Sequence, residues 1–131
     1  MKVRLVSVPV GDQEIALKFY TEILGFSKKH DIPLGEGNRW LTVVSKDELD
    51  GPEVLLEPAP NHFPPAKVFQ EELHKAVIPW TQFDVDNLDA EFDRLRKLGV
   101  IFNMEPTDVG TAKIAILDDT CGNKIQLVEI Y

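Results

Sequence analysis

Few groups in this chain could do chemistry at neutral pH: three histidines, one cysteine and the carboxylates. His30 lies in "SKKHDIP", at the end of a strand segment among charges, where a solvated imidazole is the ordinary outcome. Glu71 and His74 share one helical face, and Gln70 precedes His74 by one helical turn. Two ligands on a helix without an HExxH-type partner make a poor metal site, so a solvated face is the simpler reading. Cys121 follows Asp118 and Asp119, whose charges disfavour a thiolate, and it reads as a turn residue. Asp84 and Glu57 are the candidate general bases. No G-x-S-x-G, phosphate loop or dinucleotide fingerprint occurs. The "GEGN" at 35–38 is a turn, because it lacks the strand-to-helix context of a phosphate loop.

Two amides are more informative. The closing stretch "GNKIQLVEI" puts Ile125 and Leu127 on one face of a strand and Gln126, Val128 and Ile130 on the other. In "WTQFDV", Phe83 and Val85 alternate with Trp80, Gln82 and Asp84. A buried amide without partners costs about 1–3 kcal/mol. Gln82 and Gln126 must therefore satisfy each other across a pseudo-twofold axis or be satisfied by a ligand. Apolar walls, an indole or two, and a few amide, hydroxyl and carboxylate groups are what small-molecule pockets contain. Trp80 alone reads equally well as packing.

The elements that carry these residues repeat. "VRLVSVPV" alternates as a strand; "GDQEIALKFYTEILG" is a helix capped by Asp12 and stopped at Gly25. "FSKKHDI", "RWLTVVS" and "PEVLLE" are three further strands between Gly/Asn and Asp/Gly/Pro turns. The second half follows the same order: "WTQFDV", a helix "NLDAEFDRLRKLG" capped by Asn87 and ended at Gly99, then "VIFNM", "TAKIAIL" and "NKIQLVEI". "VGDQE" at 10–14 matches "VDNLD" at 85–89, and "EVLLE" at 53–57 matches "IQLVE" at 125–129. Between the halves, "AKVFQEELHKAV" reads as one short linking helix after a proline-rich loop.

Composition narrows the function classes. A net charge of -8 argues against a nucleic-acid partner, which needs clustered Lys and Arg. No apolar run approaches the ~20 residues of a membrane span. The opening "MKVRLVSVPVGDQ" lacks the apolar core and cleavage site of a signal peptide, and a single cysteine excludes a disulfide framework. These features read as a cytoplasmic protein.

The paired strand-helix-three-strand order, with "ALKFYTEILGF" early and "DDTCGNKIQL" late, resembles the vicinal oxygen chelate superfamily. That superfamily includes glyoxalase I, the bleomycin resistance proteins and the extradiol dioxygenases. The resemblance covers about residues 2–130. It implies an α+β fold of two βαβββ modules with cup-shaped, curved mixed sheets: module 1 about 1–58, a helical linker about 59–78 and module 2 about 79–131. It also implies a divalent metal held by His, Gln or Glu from the first and last strand of each module. Matched by motif, those positions fall on Leu5, Val54, Trp80 and Gln126. Leu and Val have no donor atom and indole is a poor ligand, so the expected metal site is absent.

The cup is then expected to be lined by Leu5, Ser7, Val54, Leu56, Trp80, Gln82, Asp84, Gln126 and Val128, with Trp40, Thr42 and Lys113 as further candidates. Two function classes stay open. One is a metal-independent small-molecule binding protein, a homodimer by resemblance. The other is a lyase, isomerase or dioxygenase with a non-standard site, using zinc, nickel or iron if it uses a metal at all.

Overall fold

Two helices open on the same device. Asp12 accepts the Ile15 N–H on its Oδ1 at 2.9 Å, and Asn87 accepts the Ala90 N–H at 2.9 Å. Each cap satisfies an otherwise unpaired donor of the first turn. Both stops use glycine in the left-handed region, Gly25 at φ 89 and Gly99 at φ 88. The computed structural model describes all residues, Met1–Tyr131, and the chain divides into two units, Met1–Val68 and Phe69–Tyr131.

The first unit runs β1 (Leu5–Pro9), α1 (Gln13–Lys18) with a π-helical turn at Phe19–Ile23, β2 (Ser27–Gly35), β3 (Asn38–Val44) and β4 (Glu53–Glu57). A short helix α2 (Ala59–His62) follows, and α3 (Pro64–Lys75) begins before the unit ends. The sheet order is β1-β4-β3-β2, with β1 parallel to β4 and the other pairs antiparallel. The second unit holds β5 (Pro79–Asp84), α4 (Leu88–Lys97), β6 (Phe102–Asp108), β7 (Ala112–Asp118) and β8 (Lys124–Ile130), in the order β5-β8-β7-β6. These are the two βαβββ modules, and the class is α+β. No helix is long and apolar enough to cross a membrane.

Two strands outrun their sequence signals. β2 continues through Pro33, and β6 continues through Pro106. Both are edge strands with register shifts, where a proline need not break a ladder.

The registers decide which face each side chain takes. In the first sheet Val6 pairs with Val54 and Val8 with Leu56, while Val54 also pairs with Val43. Val8, Leu41, Val43 and Leu56 are fully buried, and Ala16 and Tyr20 of the helical segment are buried with them. Ser7 and Thr42 instead flank Leu55, and Trp40 falls on that second face with its partner Ile32. In the second sheet Leu117, Ile125, Ala115 and Leu127 form the core row with Leu88 and Leu95 of α4. Gln82, Gln126 and Ile116 make up the opposite row.

Val54 and Leu56 therefore leave the expected pocket lining: both lie on the core face. The one-residue error came from matching "EVLLE" to "IQLVE". The Val10 N–H donates to the Glu57 carbonyl at 2.8 Å, and the Val85 N–H donates to the Val128 carbonyl at 2.8 Å. With the helix caps in correspondence, Glu57 answers to Val128 and Leu55 to Gln126. A slip of one residue exchanges the faces of a strand.

Candidate functional site

The second face of the first sheet holds a cleft of about 210 Å³. It is lined by Leu34, Trp40, Leu55 and Pro58 on its apolar side and by Asn38, Arg39, Glu57 and His62 on its polar side. β3 and β4 explain the gathering: Thr42 and Leu55 are in register, and two residues further in the same direction lie Trp40 and Glu57. α2 follows β4 after a single residue and brings His62, whose Nε2 lies 3.0 Å from Asn38 Oδ1. A neighbouring cleft of about 250 Å³ shares Asn38, Arg39 and Pro58 and is bounded by Gly11–Glu14 and Asn61. Each is smaller than the roughly 300–1,000 Å³ of drug-sized sites.

The charged groups of this sheet are divided between its two faces, with Arg39 turned to the helix side because it alternates with Trp40. Arg39 is tied to Asp31 through Nε at 2.9 Å and Nη2 at 2.8 Å, and to Glu14 through Nη1 at 2.7 Å. The Arg39 hydrogen bond holds the Asp31 carboxyl below its ordinary range. Glu53 accepts the Thr42 hydroxyl at 2.6 Å and lies 3.5 Å from His30 Nε2. His30 thus has a carboxylate neighbour that its sequence surroundings did not reveal. Glu57 has neither an ion pair nor a side-chain hydrogen bond.

On the second sheet, Gln126 donates from Nε2 to Gln82 Oε1 at 2.8 Å, and Gln82 donates from Nε2 to Asp84 Oδ1 at 3.2 Å. The two amides do satisfy each other, but as in-register neighbours on β5 and β8 of one sheet and not across a pseudo-twofold axis. Trp80 occupies the irregular stretch between Pro79 and Thr81, with its ring edge-on to Phe69 at 5.6 Å. Val128 pairs with Asp84 and is buried. Lys113 bonds Asp89 at 2.6 Å beside the start of α4, and the neighbouring Glu129 accepts the Leu88 N–H. That places Lys113 with the helix and outside the amide row.

Leu5 and Ser7 share the face of Leu55 and Trp40. The residues that the sequence reading missed are Leu34, Asn38, Leu55, Pro58 and His62. The alternation of β3 around Trp40 could have supplied Asn38, and the correct β4 register would have supplied Leu55.

His74 and Gln70 belong elsewhere. His74 Nε2 lies 2.8 Å from Asp118 Oδ2, and Gln70 donates to the Cys121 carbonyl and to Asn123 Oδ1. Glu71 is exposed, as expected of a solvated face, but Gln70 and His74 of α3 instead clamp the β7–β8 turn.

Tandem βαβββ modules, each with a four-stranded mixed sheet, define a class of protein. Residues 2–127 match the family model of the Glyoxalase/Bleomycin resistance protein/Dioxygenase superfamily, and the chain belongs to that superfamily. It is 49% identical over 129 residues to the uncharacterized protein YurT of Bacillus subtilis (strain 168), covering 98% of this chain and 99% of YurT. The solved structure of UcmS2 is 36% identical, with a TM-score of 0.84 and 98% of each chain covered. TnmS3, an antibiotic binding protein from Streptomyces sp. CB03234, is 30% identical with a TM-score of 0.77, covering 100% of this chain and 97% of its own.

The divalent cation implied by the family does not fit the donors present. With the register corrected, the first sheet offers Leu5 and Leu55 at the relevant strand positions, which bring no donor atom. The second offers Trp80 and the amide of Gln126, which is already bonded to Gln82. No group of three or more His, Cys, Asp and Glu side chains is placed to hold a metal ion.

Proposed function

We propose that this protein is a metal-independent binding protein for planar, largely apolar small molecules, held against Trp40 in the cleft of the first sheet. The observation that carries the reading is the lining itself. An indole, two leucines and a proline face a few polar groups, the composition of a small-molecule site and not of a metal centre. The likeness to the antibiotic binding protein TnmS3 over nearly the whole of both chains supports it. Leu5 and Ser7 extend the same face, and Trp80, Gln82, Asp84 and Gln126 form a second, polar recognition surface. We place the protein in the cytoplasm, as a homodimer without nucleic-acid or membrane partners. Sedimentation equilibrium reporting a strict monomer at high micromolar concentration would remove the dimer.

The test is a thermal-shift and tryptophan-emission screen with planar bicyclic and tricyclic compounds, neutral and cationic alike. A ligand at 100 times its Kd stabilises the native state by about 2.7 kcal/mol. The emission response should vanish in Trp40→Phe and persist in Trp80→Phe. A screen with no hits, or hits whose response depends only on Trp80, would defeat this assignment. The second reading, a lyase or isomerase with a non-standard site, is favoured by the unpaired Glu57 carboxylate in the cleft, where a general base would stand. Turnover that is abolished in Glu57→Gln would establish it.

A further inference from the structure

We propose that the Trp40 cleft selects a planar organic cation, such as a protonated aromatic amine, with Glu57 as its counter-ion. The inference rests on the small-molecule reading above and adds to it the charge of the ligand.

Arg39 and Glu57 are the charged residues along this cleft, but Arg39 alternates with Trp40 in β3 and so turns its side chain to the helix side of the sheet. Arg39 is committed: its guanidinium serves two carboxylates, Asp31 bidentately and Glu14 through the remaining nitrogen. It has little left to offer an anion. Glu57 is the opposite case. Its backbone carbonyl is used by the Val10 N–H, but its carboxylate has no hydrogen bond or ion pair. The residue is half-buried at the end of β4 among Trp40, Leu34, Leu55 and Pro58.

A partly desolvated carboxylate without a partner gains more from an arriving N⁺–H donor than a solvated one does. An anion placed there would meet like charge, and a neutral ligand would further desolvate Glu57 without compensation. The indole of Trp40 works in the same direction, because its π face attracts a cation that also stacks as a flat ring. His62 and Asn38 do not compete for the carboxylate, since each is engaged with the other. The net charge of -8 raises the local concentration of cations around the whole molecule, but it cannot by itself single out this cleft.

The experiment compares two tricyclic probes of similar shape, proflavine, which is cationic at pH 7, and acridone, which is neutral. Each is titrated into wild-type protein, Glu57→Gln and Asp47→Asn. Asp47 lies exposed on the loop after β3, so Asp47→Asn makes the same change in net charge away from the cleft. Near-UV circular dichroism confirms that each variant is folded. Wild type should prefer proflavine by about tenfold or more, the scale of one charge-assisted hydrogen bond. That preference should collapse in Glu57→Gln and persist in Asp47→Asn, with acridone bound no more weakly by Glu57→Gln than by wild type. Equal affinity for the two probes, a preference that survives Glu57→Gln, or an equal loss in Asp47→Asn would overturn the cation assignment while leaving small-molecule binding intact. Failure of both probes to bind wild type, or binding unchanged in Trp40→Ala, would overturn the small-molecule reading together with it.

Discussion

Gln126 donates its Nε2 hydrogen to Gln82 Oε1 at 2.8 Å, and the direction of that bond is set by a third residue, Asp84. A carboxylate can only accept, so the Gln82 amide must turn its nitrogen toward Asp84 and its oxygen toward Gln126. Gln126 must then present nitrogen to Gln82, which leaves its own oxygen outward. The outward group of this row is thus an acceptor.

Because the row is largely exposed, breaking it should cost little. Gln126→Leu is expected to lower stability by no more than about 1 kcal/mol, the net value of an ordinary hydrogen bond. Urea denaturation measures this. A loss above roughly 2 kcal/mol would mark the amide as a buried structural element.

The β7–β8 turn should govern stability in acid. Burial by itself would raise the Asp118 carboxyl. Hydrogen bonds from Lys124, the Thr120 N–H and His74 outweigh it together and hold the group below its ordinary value. A carboxyl that is depressed in the folded state adds stability above its unfolded pKa, and this is lost as pH falls through the folded value. The protein should therefore lose stability as pH drops below about 4. Asp118→Asn should flatten that slope and cost about 1–3 kcal/mol at pH 7. An unchanged acid slope in the variant would show that Asp118 does not carry it.

Two glycines separate backbone strain from crowding. Gly110 and Gly122 have nearly the same φ, 99 and 101. A Cβ at Gly110 meets nothing within 4 Å, whereas at Gly122 it would lie 2.8 Å from Gln70 Nε2. Gly110→Ala should cost about 1 kcal/mol for the left-handed conformation alone. Gly122→Ala should cost more, because Gln70 must also leave the Cys121 carbonyl and Asn123. Equal melting temperatures for the two variants would mean that Gln70 yields freely.

The face assignment of β4 can be checked by substitution. Val54 is 5% exposed on the core side, so Val54→Ala should destabilise by about 1–3 kcal/mol while native protein keeps its ligand affinity. Glu57→Gln should show the reverse, near-native stability with altered binding of cations. A Val54→Ala variant of full stability and weakened binding would restore Val54 to the pocket.

Local chemistry was enough to read the order of elements from the sequence. Asp12 and Asn87 as caps, Gly25 and Gly99 as stops, and the two alternations ending in Gln82 and Gln126 depend on neighbours within a turn or a pleat, so each signal stands in its own stretch of chain. The duplicated order also carried the superfamily. What only the tertiary structure decided lies across long separations. Gln70 and His74 form a polar helix face that reads the same whether it meets water or a turn, and the turn they hold is 44 residues or more away in sequence. The face of β4 depended on which carbonyl the Val10 N–H would find, a choice that the similarity of "EVLLE" and "IQLVE" misjudged by one residue. The cleft beside Trp40 combines the end of β2, the start of β3, the end of β4 and α2 with His62. None of those segments signals the others in sequence. Their meeting follows from backbone hydrogen bonding between strands, which is non-local and sets side-chain direction with a period of two.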